Sequence, residues 1–196
     1  GCSLKDLAFT LAGAYASGKE DGARLAVVAA SLQDLAAKLE TVGALLAAST
    51  SDASPLPEGI YLGEGPQVAA DQIAFVFPGQ GSQYPGMLKS LGVAFGPARE
   101  VFERFDAHLR EQLPQALSRY IYPPDHFSAE EKKSAERALT QTFVAQPAMG
   151  AADTAMLTLL DGLGVRPAMT AGHSYGEYVA LFAAGVMDEM ALARIS

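Results

Sequence analysis

Gly172, Ser174 and Gly176 form a Gly-x-Ser-x-Gly pattern within the stretch Ala171-Gly172-His173-Ser174-Tyr175-Gly176-Glu177-Tyr178. A mostly apolar run, Pro167 to Ala171, leads in, and a helix-like run, Glu177 to Met187, leads out. Strand, sharp turn and helix are the surroundings in which a serine serves as a covalent nucleophile. A serine on so tight a turn is held in a strained backbone conformation, and a side chain at either flanking glycine collides with the strand or the helix. The hydroxyl then stands exposed beside the first N–H groups of the helix, which lack intrahelical partners and favour negative charge. The same residues also fit a Gly/Ser-rich strand-to-helix connection with no chemistry.

A second stretch, Gln72-Ile73-Ala74-Phe75-Val76-Phe77, is near-continuously apolar and suits a central parallel strand covered on both faces. It runs into Pro78-Gly79-Gln80-Gly81-Ser82-Gln83-Tyr84-Pro85-Gly86-Met87. Two readings compete. One is a phosphate-binding turn, although Tyr84 stands where a dinucleotide fingerprint has its third glycine and no Gly-Lys-Ser/Thr occurs. The other is a loop whose backbone approaches a reacting group closely, with the N–H of Gln80 as donor. Gln146, just before Pro147, reads as a turn residue or as a buried bracing group, and the residues alone favour the turn. The histidines, His108, His126 and His173, are scattered, and no Cys/His/carboxylate cluster has metal-ligand spacing. His108 lies beside an apolar stripe as a boundary residue, and His126 reads as a turn residue.

Other elements must position these residues. Leu4 to Ala16 has helical spacing, closed by Gly18. Arg24 to Ala30 reads as a strand. Ser31 and Asp34 resemble a capping box opening a helix to about Ala48, with Leu32, Leu35, Leu39, Val42 and Leu46 on one face. Ser49 to Gly59 reads as a loop and Ile60 to Leu62 as a second strand. After the Gln80 loop come a helix from Gly96 with Val101, Phe102, Phe105, Leu109 and Leu113 as its stripe, a loop over Tyr120 to Phe127, and a helix capped by Ser128. Thr142 to Met149 precedes a small-residue helix in which Ala148, Ala151, Ala152, Ala155 and Met156 permit close packing against a sheet. Asp188 caps a last helix.

With 196 residues, 49% hydrophobic and 18% charged, the chain reads as globular, and its net charge of -8 argues against sequence-independent nucleic-acid or anionic-membrane binding. A lone cysteine, Cys2, excludes an internal disulfide framework and fits a reducing compartment. With no secretory signal and no membrane-length apolar run, the expected localisation is cytoplasmic.

Three motifs occur in order: Phe75-Val76-Phe77-Pro78-Gly79-Gln80-Gly81-Ser82-Gln83; Leu139, Thr142 and Gln146-Pro147-Ala148; and Gly172-His173-Ser174-Tyr175-Gly176-Glu177-Tyr178. Together, over about Asp71 to Ser196, they resemble the acyltransferase domain of polyketide and fatty acid synthases, the malonyl-CoA:acyl carrier protein transacylase family. The preceding residues resemble the linker between ketosynthase and acyltransferase in type I polyketide synthases. The resemblance implies an α/β fold: a small α/β linker subdomain over residues 1–68, then the N-terminal part of an α/β-hydrolase-like, parallel-sheet acyltransferase core over 69–196. It implies Ser174 as the acyl-accepting nucleophile, the backbone N–H groups of Gln80 and Tyr175 as the oxyanion hole, and Gln146 and His173 as substrate-binding residues. It implies no bound cofactor or metal. The substrates would be a malonyl-type coenzyme A thioester and the phosphopantetheine thiol of an acyl carrier protein, with a ketosynthase domain as neighbour and no nucleic-acid or membrane partner. The family's catalytic histidine and its carboxylate-binding arginine are expected beyond Ser196, Arg194 being too early by about one and a half helical turns. The expectation is therefore a truncated domain that does not turn over alone. Tyr175 after the serine is similar to some iterative synthases. A serine hydrolase or thioesterase, or an inactive structural fragment, is the alternative.

Overall fold

The computed structural model describes residues 2–16, 22–47, 56–63, 72–125 and 128–195. Gly18, the loop residues Ser49 to Pro55, and His126 lie outside the described residues. The chain divides into two compact units, Gly1–Gln67 and Val68–Ser196. No described helix is long and apolar enough to cross a membrane.

The first unit contains α1 (Leu4–Ala16), β1 (Arg24–Val27), α2 (Leu32–Ala47) and β2 (Ile60–Gly63). β1 and β2 pair antiparallel, from Arg24 opposite Gly63 to Val27 opposite Ile60. β1 ends three residues before the expected Ala30 because the chain turns there to cap α2. The Ser31 hydroxyl accepts from the Asp34 amide at 3.1 Å, and the Asp34 carboxylate accepts from the Ala30 amide at 2.8 Å. Lys38 Nζ donates to that carboxylate at 3.0 Å and to the Val28 carbonyl at 2.7 Å, tying α2 to the end of β1. The Ala30 amide, and then Lys38, hold the Asp34 carboxyl below its usual range. The expected apolar stripe of α2 is buried only at Val42; Leu32, Leu39 and Leu46 are exposed.

The second unit contains β3 (Ala74–Phe77), α3 (Lys89–Ala94), α4 (Gly96–His108), α5 (Leu117–Ile121), α6 (Ala129–Thr140), α7 (Thr142–Gly162), β4 (Met169–Gly172), α8 (Gly176–Ala183) and α9 (Glu189–Arg194). It is helix-rich around a small parallel sheet: β3 pairs with β4 from Ala74 opposite Met169 to Phe77 opposite Gly172. α8 covers one face, where the Thr170 hydroxyl donates to the Ala180 carbonyl at 2.9 Å and Phe77 joins Val179 and Ala180 in the core. The expected cover on both faces of β3 is not found among the described residues: Val76 is 75% exposed and Met169 61%. An apolar run is compatible with burial on both faces but does not supply the second layer.

The expected apolar stripe is buried, at Val101, Phe102 and Phe105 on α4 and at Leu109 and Leu113 beyond its end, where the helix stops sooner than the stripe. Ser128 and Glu131 form a full capping box on α6, each side chain accepting from the other residue's amide at 3.2 Å. The Asp188 side chain caps α9 by accepting from the Ala191 amide at 2.7 Å. α8 stops short of Met187. Gly185 adopts φ 76°, and the amides of Gly185 and Val186 close back on the carbonyls of Phe182 and Leu181.

Two expectations about α7 are corrected. Gln146 is not in a turn, and Pro147 lies inside the helix. The helix tolerates this proline because the carbonyl deprived of its donor, that of Phe143, sits on the first turn at an exposed residue that water can reach. The small residues of α7 pack against helices, α4 most extensively, rather than against a sheet. Ala148, Ala151, Ala152 and Ala155 are buried, while Met156 is exposed.

α7 also buries Asp153, whose Oδ2 has no hydrogen-bond partner among the described residues, beside the similarly unpartnered Thr154 hydroxyl. Burial pushes the Asp153 carboxyl up from 3.8 to about 7. The folded state keeps this proton over a range in which the unfolded chain has lost it. The carboxyl therefore exacts no penalty below about pH 4, and stability falls as pH rises from about 4 to about 7. The full loss is of the order of 4 kcal/mol. Asp153→Asn is expected to flatten that fall: in urea unfolding, its advantage over the parent chain should be larger at pH 8 than at pH 5.

Candidate active site

β4 ends at Gly172 and α8 begins at Gly176, leaving three residues to reverse the chain. Ser174, in the middle, takes φ 56°, the left-handed region that an L side chain enters only under strain, and it is exposed. Hydrogen bonds stabilise this conformation. The His173 amide donates to the Phe77 carbonyl at 3.1 Å, extending the β3–β4 pairing by one residue. The Gly176 amide donates to the His173 carbonyl at 3.0 Å and the Glu177 amide to the Ser174 carbonyl at 3.1 Å.

The flanking glycines are required by contact. A Cβ on Gly172 would run into the Gly176 carbonyl and the Glu177 amide. One on Gly176 would run into the Phe77 carbonyl and stand 2.7 Å from that of Pro78. These are backbone atoms of a strand end and a helix start, and neither can rotate aside as a side chain would.

The loop after β3 lies against the same turn. Gly79 is buried, and a Cβ there would strike the His173 carbonyl and stand 2.9 Å from Ser174 Cβ. Gln80, the next residue, is exposed, and its Nε2 donates to the Thr142 hydroxyl at 3.3 Å at the start of α7. The loop is shaped by the Gly81 amide donating to the Gln83 side chain at 2.7 Å and by Gly81 at φ 110°. The next helix begins only at Lys89, so this glycine-rich turn does not feed a helix N-terminus as a phosphate-binding turn does.

The fold thus brings Ser174, Tyr175 and the backbone at Gly79–Gln80 together. Gln146, half-buried, stands one helical turn beyond Thr142 on α7. His173 is exposed, with its amide and carbonyl both committed to the turn. His108 belongs elsewhere: its Nε2 lies 3.6 Å from Glu189, which Arg104 grips with two hydrogen bonds of 2.8 Å. No described group of His, Cys, Asp or Glu residues could hold a metal ion. Sequence reasoning passed over Gly79, Thr142 and Gly150 as individual residues. A Pro-Gly directly after an apolar strand is a usable signal for the first; the other two carry none without the fold.

An exposed, strained serine at a helix start, flanked by a loop backbone in van der Waals contact, can attack a carbonyl and place N–H donors around the oxygen that becomes negative. The sequence pattern of the acyl transferase domain matches residues 74–195. The malonyl CoA-acyl carrier protein transacylase of Bacillus subtilis strain 168 is 43% identical over 117 residues, covering 60% of this chain and 32% of that protein. The spectinabilin polyketide synthase system protein NorA of Streptomyces orinoci is 32% identical over 190 residues, 97% of this chain and 9% of that protein. The crystal structure of the acyltransferase domain from the second module of the salinomycin polyketide synthase superposes with a TM-score of 0.66 at 29% identity, covering 98% of this chain and 43% of that one. The chain therefore spans about a third of the Bacillus relative's length.

The packing around the turn makes Gly176→Ala and Gly79→Ala disruptive. Each is expected to lower stability by about 3 kcal/mol or more. Each should also abolish or strongly slow labelling of Ser174 by a fluorophosphonate, read by mass spectrometry of the intact protein. Gly13→Ala, at a position where a Cβ meets nothing within 4 Å, is the control and should leave labelling unchanged.

Proposed function

The chain belongs to the acyl transferase domain family, and from that premise we propose that it carries the acyl-accepting half of a malonyl-CoA:acyl carrier protein transacylase site in polyketide biosynthesis. The observation that carries the proposal is Ser174, exposed at φ 56° with Gly79 packed on its Cβ side.

In this reading the Ser174 hydroxyl oxygen attacks the thioester carbonyl of malonyl-CoA, and its proton goes to a base. The amides of Gln80 and Tyr175 donate to the tetrahedral oxyanion, where loss of one donor typically costs about 3 kcal/mol, roughly a hundredfold in rate. The C–S bond breaks, coenzyme A leaves as the thiol, and the malonyl ester remains on Ser174. The phosphopantetheine thiol of a carrier protein then attacks that ester and regenerates the serine. Gln146 and His173 are assigned to contact with the acyl unit. None of the described histidines is assigned as the base: His108 is engaged with Glu189, and the backbone of His173 is fixed within the turn itself.

The first unit, up to about residue 68, is assigned to the linker between a ketosynthase and this domain. The Bacillus transacylase aligns with 60% of the chain, whereas the polyketide synthase relative aligns with 97%.

Incubation of the full-length protein with malonyl-CoA is expected to give a malonyl adduct on Ser174, absent from Ser174→Ala, that is discharged by holo-acyl carrier protein. An adduct on the alanine variant would refute the serine assignment. Discharge to free malonate faster than to carrier protein would replace transfer by hydrolysis. Gln80→Ala, which keeps the backbone donor, is expected to lower the acylation rate less than Gln80→Pro, which removes it and should cost about a hundredfold.

A further inference from the structure

Tyr175 is the largest of the fully buried side chains, although it directly follows the exposed Ser174. Its hydroxyl donates to the Leu192 carbonyl of α9 at 3.3 Å. Its ring lies over Gly150 of α7: a Cβ on Gly150 would stand 2.7 Å from the Tyr175 hydroxyl oxygen and 3.3 Å from Cε1 of its ring. Phe105 of α4 closes on the same spot, 3.3 Å from that Cβ position. On α8, which Tyr175 directly precedes, the Tyr178 ring lies 5.9 Å away, tilted by 56°. Residues from α4, α7, α8 and α9 thus converge on one side chain.

α9 is held at both ends. At its start, Asp188 caps it and Arg104 of α4 grips Glu189. In its last turn, the Leu192 carbonyl accepts from the Tyr175 hydroxyl. Ser174 is therefore fixed from two directions. Gly79 bears on its entry side through the His173 carbonyl and on Ser174 Cβ itself, and the buried Tyr175 ring anchors the backbone on its exit side. A residue at φ 56° relaxes toward the ordinary regions unless its neighbours prevent it.

We propose that the Tyr175 side chain is a positioning residue for Ser174. Its hydroxyl and the absence of a side chain at Gly150 form a matched pair that holds the nucleophile's backbone against α9. The proposal rests on the reading of Ser174 as the acyl-accepting serine and concerns a group that itself touches no substrate.

The test uses the full-length protein with Tyr175→Phe, Tyr175→Leu, Gly150→Ala and the double variant Gly150→Ala/Tyr175→Leu. The readouts are single-turnover acylation of Ser174 by malonyl-CoA over a concentration series and, separately, the urea midpoint. Tyr175→Phe keeps the ring and loses only the hydroxyl. It is expected to lower the maximal acylation rate about tenfold, since small misplacements of a reacting atom are costly, with an unchanged half-saturating concentration. Gly150→Ala should slow acylation at least as much, and the double variant should be faster than Gly150→Ala alone, because leucine vacates the space of the hydroxyl. A Tyr175→Phe protein that acylates at the parent rate, whatever its urea midpoint, overturns the proposal. So does a change confined to half-saturation, or strict additivity of the substitutions at 150 and 175. If the parent protein takes no acyl group from malonyl-CoA, the transacylase reading has failed. The same comparison is then made on the rate of Ser174 labelling by a fluorophosphonate: slowing in Tyr175→Phe supports the positioning role, and equal rates reject it.

Discussion

The close approach of three backbone segments at Gly79, Gly172 and Gly176 is the constraint on which the site depends. The end of β3, the turn after β4 and the first residues of α8 meet where no Cβ fits. Once they meet, the geometry follows. The His173 amide reaches Phe77, the His173 carbonyl receives Gly176, and Ser174, the middle of the three residues between Gly172 and Gly176, is left with a positive φ and an exposed side chain. Strain at Ser174 is a consequence of that interlock, and the surrounding contacts over-determine it.

The rest of the second unit supports this junction. α7 brings small residues to α4, so the helices pack closely and carry Gly150 up to Tyr175. α9 is tied to α4 through Arg104 and Glu189 and to the turn through Tyr175. The same helix α7 contributes Thr142 to Gln80, so one element touches the loop at its start and the elbow's anchor further along. A polar group buried in that helix, Asp153, opposes stability at neutral pH without contributing to any described hydrogen bond of its side chain.

Much of the second unit was legible from local pattern. The α4 stripe, the Ser128 capping box, the Asp188 cap and the strands at Ala74–Phe77 and Met169–Gly172 follow from periodicity and capping chemistry, which depend on neighbours within a few residues. The errors share a cause. Gln146 next to Pro147 reads locally as a turn, yet packing of the alanine face of α7 on α4 favours continuing the helix through the proline. The stripes of α2 and β3 read locally as buried, but burial requires a partner layer, and periodicity cannot show whether one is there.

The sequence by itself determined the nucleophile candidate and the need for glycine beside it, because a strand, a three-residue reversal and a helix confine the middle residue to a narrow range of backbone angles. It also identified the Gln80 loop as a place where backbone comes close to something. Only the tertiary structure decided what that something is. Ser174 and Gly79 are distant in the chain, and parallel pairing of β3 with β4 is what sets them side by side. Tertiary structure likewise decided the direction of Tyr175. The sequence assigns Tyr175 a role only through its backbone N–H, and residues near it in the chain do not set which way its ring faces. The space above Gly150 and the carbonyl of Leu192, both supplied by helices remote in sequence, turn it inward.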